Sequence, residues 1–288
     1  MAIHNQIILY GQITAKPRIT KDEDGNYMKG FCSITVAPGT RDFGLLKNKK
    51  NMSEVQFCKI PVITGNPDRI AEMDEFEIGD IVLMKTTFVT RNIVKKKQCP
   101  VCKTVLKKRG LQSFANPIHI SIEKRGLSIE EGEMYLRRHC EISNVATIMG
   151  TLCRDPEIVY DDKRGTMAKF QLAIDRKYFI ADDNIETRTD YPWVKIHGKE
   201  RVDDIMLRCR QNTVVFIDGF IRVVKPDDIV VDCPNPTCSN QMTWNDWAME
   251  IVPYAIEYIR NWVTDEELIK EEKKEDNEIL QSVGINIR

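Results

Sequence analysis

Hydrophobic and polar positions are most sharply patterned from Asn144 to Arg176. Val145 to Leu152 is apolar-rich and broken by Gly150, Pro156 stops the run, and Asp161 to Gly165 supplies turn residues. Phe170, Leu172 and Ile174 then alternate with polar neighbours. A period of two puts successive side chains on opposite faces of a strand, so this stretch predicts strands with one buried and one wet face. The same series occurs about 139 residues earlier. Asn5 to Gly11 matches Asn144 to Gly150, Pro17 matches Pro156, Asp22 to Gly25 matches Asp161 to Gly165, and Cys32, Ile34 and Val36 alternate like Phe170, Leu172 and Ile174. Further on, Ile78 to Met84 with Phe88 and Arg91 parallels Gln211 to Phe216 with Gly219, Phe220 and Arg222. Solenoid repeats run roughly 20 to 50 residues, so repetition at this longer period means two copies of a whole domain.

The first copy predicts strands at about 5–14, 27–37, Glu54 to Thr64, Asp80 to Arg91 and Pro117 to Glu123, with a short helix over Pro67 to Met73. Arg41 to Lys50 is too polar for a strand and reads as a loop. In the second copy, alternation places Tyr191, Trp193 and Lys195 on one face and Val194 and Ile196 on the other. Sharing a face with a lysine marks the two aromatics as exposed. Val202, Ile205, Met206 and Cys209 fall at i, i+3, i+4 and i+7, a helix packing one side on the domain. Met249 to Tyr254 reads as the last strand and Ala255 to Trp262 as a closing helix. Between the copies a helical linker is opened by Ser128. The expected units are 1–125, a linker at 126–141, 142–262, and a charged helical tail at 263–288, where Glu266 and Lys270 form an i,i+4 pair.

A chain of 288 residues holds about two domains of 100 to 200 residues. Its 42% hydrophobic content suffices for packed cores, and no run of about 18 apolar residues offers a membrane span. No secretory leader precedes the first strand, so a soluble protein of the cytoplasm or nucleoid, or of a host cell's cytoplasm if phage encoded, is expected. The formal net charge of −1 conceals three unequal parts, +9 over 1–125, −6 over 126–263 and −4 beyond. Arg91 to Arg109 carries eight Lys/Arg and no acid. One-sided charge of this density suits phosphate contact, with counterion release making affinity salt-sensitive.

Nine cysteines, an odd number, argue for reduced thiols and metal ligands rather than a disulfide framework. Cys99/Cys102 and Cys233/Cys238 each lie in an insertion before the last strand of their copy. Spacings of two and four residues suit one knuckle each, and two knuckles complete a tetrahedral zinc shell. Neither copy holds a second good pair, and the insertions have opposite charge, so one structural zinc joining them is expected, within a chain or between neighbouring chains. A redox dithiol would sit at a strand-to-helix junction rather than in a basic hairpin. His4, His119, His139 and His197 are scattered and no nucleophile motif is present, so no enzymatic activity is expected.

Asn144, Gly150, Arg154-Asp155-Pro156-Glu157, Gly165, Phe170 to Ile174 and Arg176 together resemble the opening of the bacterial single-stranded DNA-binding protein family. Asp190 to Lys199 resembles that family's third strand. The resemblance covers most of both copies and excludes the cysteine insertions and the tail. It implies two tandem OB-fold barrels, to which the residues add in each a zinc-knuckle-like insertion between the last two strands, and a C-terminal helix, for an all-β dominated chain. It further implies a non-enzymatic protein that coats single-stranded DNA with little sequence preference during replication, recombination or repair. Phosphate contacts are expected from Arg41, Lys47, Lys49, Lys50, Arg91, Lys95, Lys96, Lys97, Arg176, Lys177, Lys195 and Arg222. Base stacking is expected from Phe43, Phe57, Tyr178, Phe179, Tyr191 and Trp193. Four barrels acting together imply a homodimer of this two-barrel chain or a head-to-tail array. The ending Gly-Ile-Asn-Ile-Arg departs from the family's acidic, partner-recruiting tip. An alternative reading is an OB-fold/zinc adaptor that binds protein partners in a replication or conjugation complex, its acidic second copy not touching DNA.

Overall fold

The computed structural model describes residues 4–37, 57–161, 165–176, 180, 189–224, 229–244 and 247–260. The first copy supplies β1 (Asn5–Ile13), β2 (Arg18–Lys21), β3 (Tyr27–Val36), β4 (Cys58–Thr64), α1 (Pro67–Asp74), β5 (Ile81–Gln98) and β6 (Val105–Lys124). The linker supplies α2 (Ile129–Arg138) and a single turn, α3 (Cys140–Ser143). The second copy supplies β7 (Asn144–Leu152), β8 (Glu157–Asp161), β9 (Gly165–Asp175), β10 (Thr189–Asp190), β11 (Trp193–His197), α4 (Lys199–Arg208), β12 (Val214–Val224), β13 (Ile229–Asp232), β14 (Gln241–Trp244) and β15 (Ala248–Arg260).

Each copy closes on itself. β1 pairs with β3 and β5, β3 with β4, β5 with β6, and β4 with β6 in parallel at Val62↔Ala115. β7, β9, β11, β15 and β12 repeat that circuit, with the parallel seam at Trp193↔Glu250 and Val194↔Ile251. Two five-stranded barrels of the OB type result. Their interiors are filled by the alternating residues the sequence marks, including Ile7, Leu9, Ile34 and Val36 in one and Ile148, Phe170, Leu172 and Ile174 in the other, all at zero exposure. Closure brings strands so near at Gly11 and Gly150 that an added Cβ would stand 2.5 Å from the Thr35 carbonyl oxygen and 2.8 Å from that of Ala173.

The barrels join through β1 and β7, which pair antiparallel with Asn5↔Ile148, Ile7↔Ala146 and Leu9↔Asn144 in register. Asn5 and Asn144 are equivalent positions of the repeat, as are Leu9 and Ile148, so a local two-fold axis passes between Ile7 and Ala146. The two asparagines do the same work on either side of it. Asn5 donates from Nδ2 to the Phe88 carbonyl (2.9 Å) and accepts the Phe88 N–H (2.8 Å). Asn144 donates to the Ile221 carbonyl (2.7 Å) and accepts the Ile221 N–H (3.0 Å). Both are buried, where an unmade pair of backbone bonds is costly. Two residues on, the symmetry holds in position but not in chemistry: the Thr90 N–H donates to Asp190 Oδ1 (2.7 Å), and the Val223 N–H to Cys58 Sγ (3.3 Å).

The linker helix lies against the first barrel. Its capping box is complete, with Ser128 and Glu131 exchanging bonds. Gly132 sits over Gln12, Leu136 is buried, and the Tyr10 and Tyr135 hydroxyls are 3.0 Å apart.

Two expectations change. Residues 255–260 are not helical but continue β15, with Ile256 across from Ile217 and Tyr258 across from Val215. Tyr254, Ile256 and Tyr258 recur at period two, and the exposed ladder of β12 offers backbone partners that a free helix of this length lacks. The last two strands of the first copy also outrun the expected Asp80 to Arg91 and Pro117 to Glu123: β5 and β6 continue through the insertion for 18 and 20 residues as one ribbon. The tail at 263–288 and the Arg41 to Lys50 loop lie outside the described residues. Among the described residues no helix is long and apolar enough to cross a membrane.

Candidate nucleic-acid interface and cysteine centre

The outward face of the second barrel is built by β9, β11, β12 and β15. Val194 and Ile196 point into the core, so Trp193, Lys195 and His197 point out. Register sets Lys195 opposite Lys169, and Arg222 opposite Glu250. The Arg154 guanidinium lies 4.8 Å and Lys169 Nζ 5.4 Å from the centroid of the Trp193 ring. Both cations also hold Glu157, at 3.3 and 3.1 Å, and the bond from Lys169 keeps that carboxyl below its ordinary range. Lys195 (2.6 Å) and Arg222 (3.3 Å) share the nearly buried Glu250, and His197 Nε2 is 3.2 Å from Arg222 Nη2. Tyr191, 42% exposed, adds a second aromatic. Four cations against two carboxylates among the described residues make this face locally basic, although residues 126–263 as a whole balance at −6.

The equivalent face of the first barrel is different. Where the second has Lys195, Arg222 and Glu250, the first has Ile63, Val89 and Phe114, buried together under Ile180 from the second barrel. Arg91 is held there, its guanidinium 5.2 Å from the Phe114 ring centroid and its Nε donating to Gln112 (2.7 Å). Two expected contacts lie inside the molecule. Arg176 is buried and paired with Asp190 at 2.6 Å. Phe57 is half-buried beside Leu136, with Arg137 over its ring at 5.2 Å. Burial pushes the Asp190 carboxyl up to about 6, against the opposing pull of the Thr90 hydrogen bonds and Arg176. Arg41, Phe43, Lys47, Lys49, Lys50, Lys177, Tyr178 and Phe179 lie outside the described residues.

The sequence reading missed Arg154, Lys169 and Glu250. Arg154 was visible only as part of the Arg-Asp-Pro-Glu punctuation. Lys169 and Glu250 reach the site through cross-strand register, which a single strand's alternation does not reveal.

At the far end of the ribbon the two insertions meet. Cys99, Cys102, Cys233 and Cys238 bring four sulfurs within 4.8 Å of one another. Cys99 and Cys238 are 3.9 Å apart at Sγ, and Cys102 and Cys233 are 3.4 Å apart. A tetrahedral thiolate shell with metal–sulfur bonds of about 2.3 Å has edges of about 3.8 Å, so the quartet fits a metal ion. The turns that present them are locally tied: Cys99 N–H donates to the Thr104 carbonyl (2.9 Å), Cys233 N–H to that of Asn240 (3.1 Å), and Lys103 takes φ of 61° to close the first knuckle. Asn240 Nδ2 reaches Cys99 Sγ at 3.5 Å, a polar partner for a sulfur carrying charge. Hydrogen bonding from Thr104 pulls the Cys102 thiol down to about 6. Leu106 and Met242 pack against the quartet, and the Lys97 ammonium contacts the Thr243 carbonyl across the seam.

Residues 143–230 match the profile of the single-strand binding protein family. No curated protein sequence matches the chain. Among solved structures, the wild-type single-stranded DNA binding protein from Thermus aquaticus aligns over 89% of this chain and 93% of its own, at 15% identity and a TM-score of 0.51. A deletion mutant of that protein aligns over 91% and 98%, at 16% identity and the same TM-score. Residues 143–230 are thus similar in sequence to the single-strand binding protein family, and the two-barrel chain shares the fold of the Thermus aquaticus protein.

Proposed function

We propose that this chain binds single-stranded DNA with little sequence preference, by binding alone and without turnover, in replication, recombination or repair. The observation that carries the reading is Trp193, set outward on a basic strand face between Arg154 and Lys169 and beside Tyr191. Aromatic platforms flanked by cations are what unpaired DNA needs, since every base has a π-face and every nucleotide a phosphate. Arriving phosphates would take Arg154 and Lys169 from Glu157, and Lys195 and Arg222 from Glu250, freeing the indole for a base. The contributions expected from Arg91, Lys95 and Lys97, and from Arg41, Phe43, Lys47, Lys49, Lys50, Lys177, Tyr178 and Phe179, extend the same path, while Lys96 lies on the opposite face of its strand.

The cysteine quartet would hold one structural zinc within the chain; borderline-soft Zn(II) favours thiolates, and a full shell of four leaves no open position for chemistry. Two such chains, or a head-to-tail array, would assemble four barrels. Binding of oligo(dT) and of a blunt duplex of equal length, measured at two salt concentrations, tests the reading. The single strand should be held more tightly at both. Equal or weaker binding of the single strand would instead support the adaptor role.

A further inference from the structure

Beyond the barrel, residues 91–98 of β5 and 105–112 of β6 form an antiparallel ribbon paired from Arg91↔Gln112 to Gln98↔Val105. Eight residues at a rise of about 3.4 Å make it about 27 Å long. Its two faces have separate fates. Arg91, Ile93, Lys95, Lys97, Leu106 and Lys108 share one face, where near the tip Leu106 packs against the cluster of Cys99, Cys233 and Met242 and Lys97 meets Thr243. The other face carries Lys96, Lys107 and Arg109 with Val94, Val105 and Leu111, every one exposed. It has no acidic residue and no aromatic one. Lys96, Lys107 and Arg109 have no acidic partner among the described residues.

We propose that this outer face is a binding site for duplex DNA, seated in the major groove, so that the protein grips a double helix beside the single strand it holds. The junction geometry rests on the single-strand reading above; the duplex contact does not. A major groove about 12 Å wide admits a two-stranded β-ribbon, and 27 Å of ribbon spans about eight base pairs of rise. Three cations of one sign match the phosphates lining the groove. Branched aliphatic side chains between them suit thymine methyl groups, whereas a single strand would call for the stacking aromatics this face lacks. On the opposite face the second insertion meets the ribbon near its tip, at Lys97, Leu106 and the four cysteines, and backs it there.

The test compares the parent chain with a variant carrying Lys96→Ala, Lys107→Ala and Arg109→Ala. Three probes are used: a DNA stem-loop longer than the ribbon, the same stem-loop with an oligo(dT) overhang, and oligo(dT) alone. For the parent, the overhang stem-loop should bind more tightly than oligo(dT). In the variant that advantage should vanish, stem-loop binding should fall, and its log K against log salt slope should flatten by up to about 2.7, near 0.9 per duplex phosphate lost. Oligo(dT) affinity should not move. Unchanged stem-loop binding overturns the proposal, and so does an equal loss on oligo(dT), which would assign the face to the single-strand path. A parent that binds the stem-loop but not oligo(dT) would instead remove the single-strand reading and leave the duplex site standing. A variant that also carries Leu111→Ala should weaken stem-loop binding further at high salt, where the ionic contribution is smallest; no added loss would put the aliphatics outside the contact.

Discussion

Replacing Cys233 by Ser removes one of four sulfurs gathered within 4.8 Å of one another across the seam between the insertions, its own 3.4 Å from Cys102 Sγ. The consequence follows from what else holds that seam. β13 and β14 are four residues each and, among the described residues, pair only with one another, and an isolated two-stranded hairpin is marginal in water. Leu106, packed against the cluster that includes Met242, adds apolar burial, about 1.5 to 3 kcal/mol if fully buried. Structural zinc contributes about 10 to 16 kcal/mol in small peptides that fold only with metal. Most of the docking free energy of the second insertion would therefore come from a metal bound by the four cysteines, while both barrels have their own closed cores. Purified protein should contain about one zinc per chain, as a closed four-thiolate shell requires. Cys99→Ser and Cys233→Ser should lower it equally. Hydrogen exchange should accelerate sharply at residues 229–244 in either variant, with barrel strands such as β1 and β7 unchanged. If either variant keeps its full zinc content, if the two differ sharply, or if the barrels lose protection together with the insertion, the shared site and its local role are both wrong.

Asn5→Ala and Asn144→Ala each strip two buried backbone groups of their partners, so each should cost about 2 to 5 kcal/mol in urea denaturation, by similar amounts; a large difference would break the symmetry argument. Gly150→Ala places a Cβ 2.8 Å from a backbone oxygen and should cost about 1 to 3 kcal/mol, seen as a lower Tm. Asp190 is raised in the folded state to about 6, so the folded chain holds its proton more tightly than the unfolded one. Its contribution is full below pH 4 and is lost as pH rises through 6, by up to about 3 kcal/mol. The stability difference between the parent and Asp190→Asn should accordingly change between pH 4 and 6 and stay level above about 7, and a difference independent of pH would place the carboxyl in water.

Both barrels were legible because closure depends on alternation, and alternation is written in the chain at Phe170, Leu172 and Ile174 and again at Cys32, Ile34 and Val36. Joining the cysteines was legible for a different reason: neither pair can complete a shell alone. Tyr254 to Arg260 misled because Ala, Glu and Arg favour helices while Tyr and Ile at period two fit a strand, and only the open ladder of β12 decides between them. Arg176 misled because a cation after an outward-alternating strand looks free until its buried partner Asp190, from another strand, is in place. The closing of the first barrel's face by Ile180 is a contact between copies, which no reading of one copy contains.

The central claim is that a single strand stacks on the basic face of the second barrel, and the most direct measurement is the affinity of Trp193→Ala for oligo(dT). Loss of one stacked base is worth about 1 to 3 kcal/mol, so binding should weaken by roughly 5- to 150-fold, with little change in salt slope because no phosphate contact is removed. Binding as tight as the parent's would contradict the account.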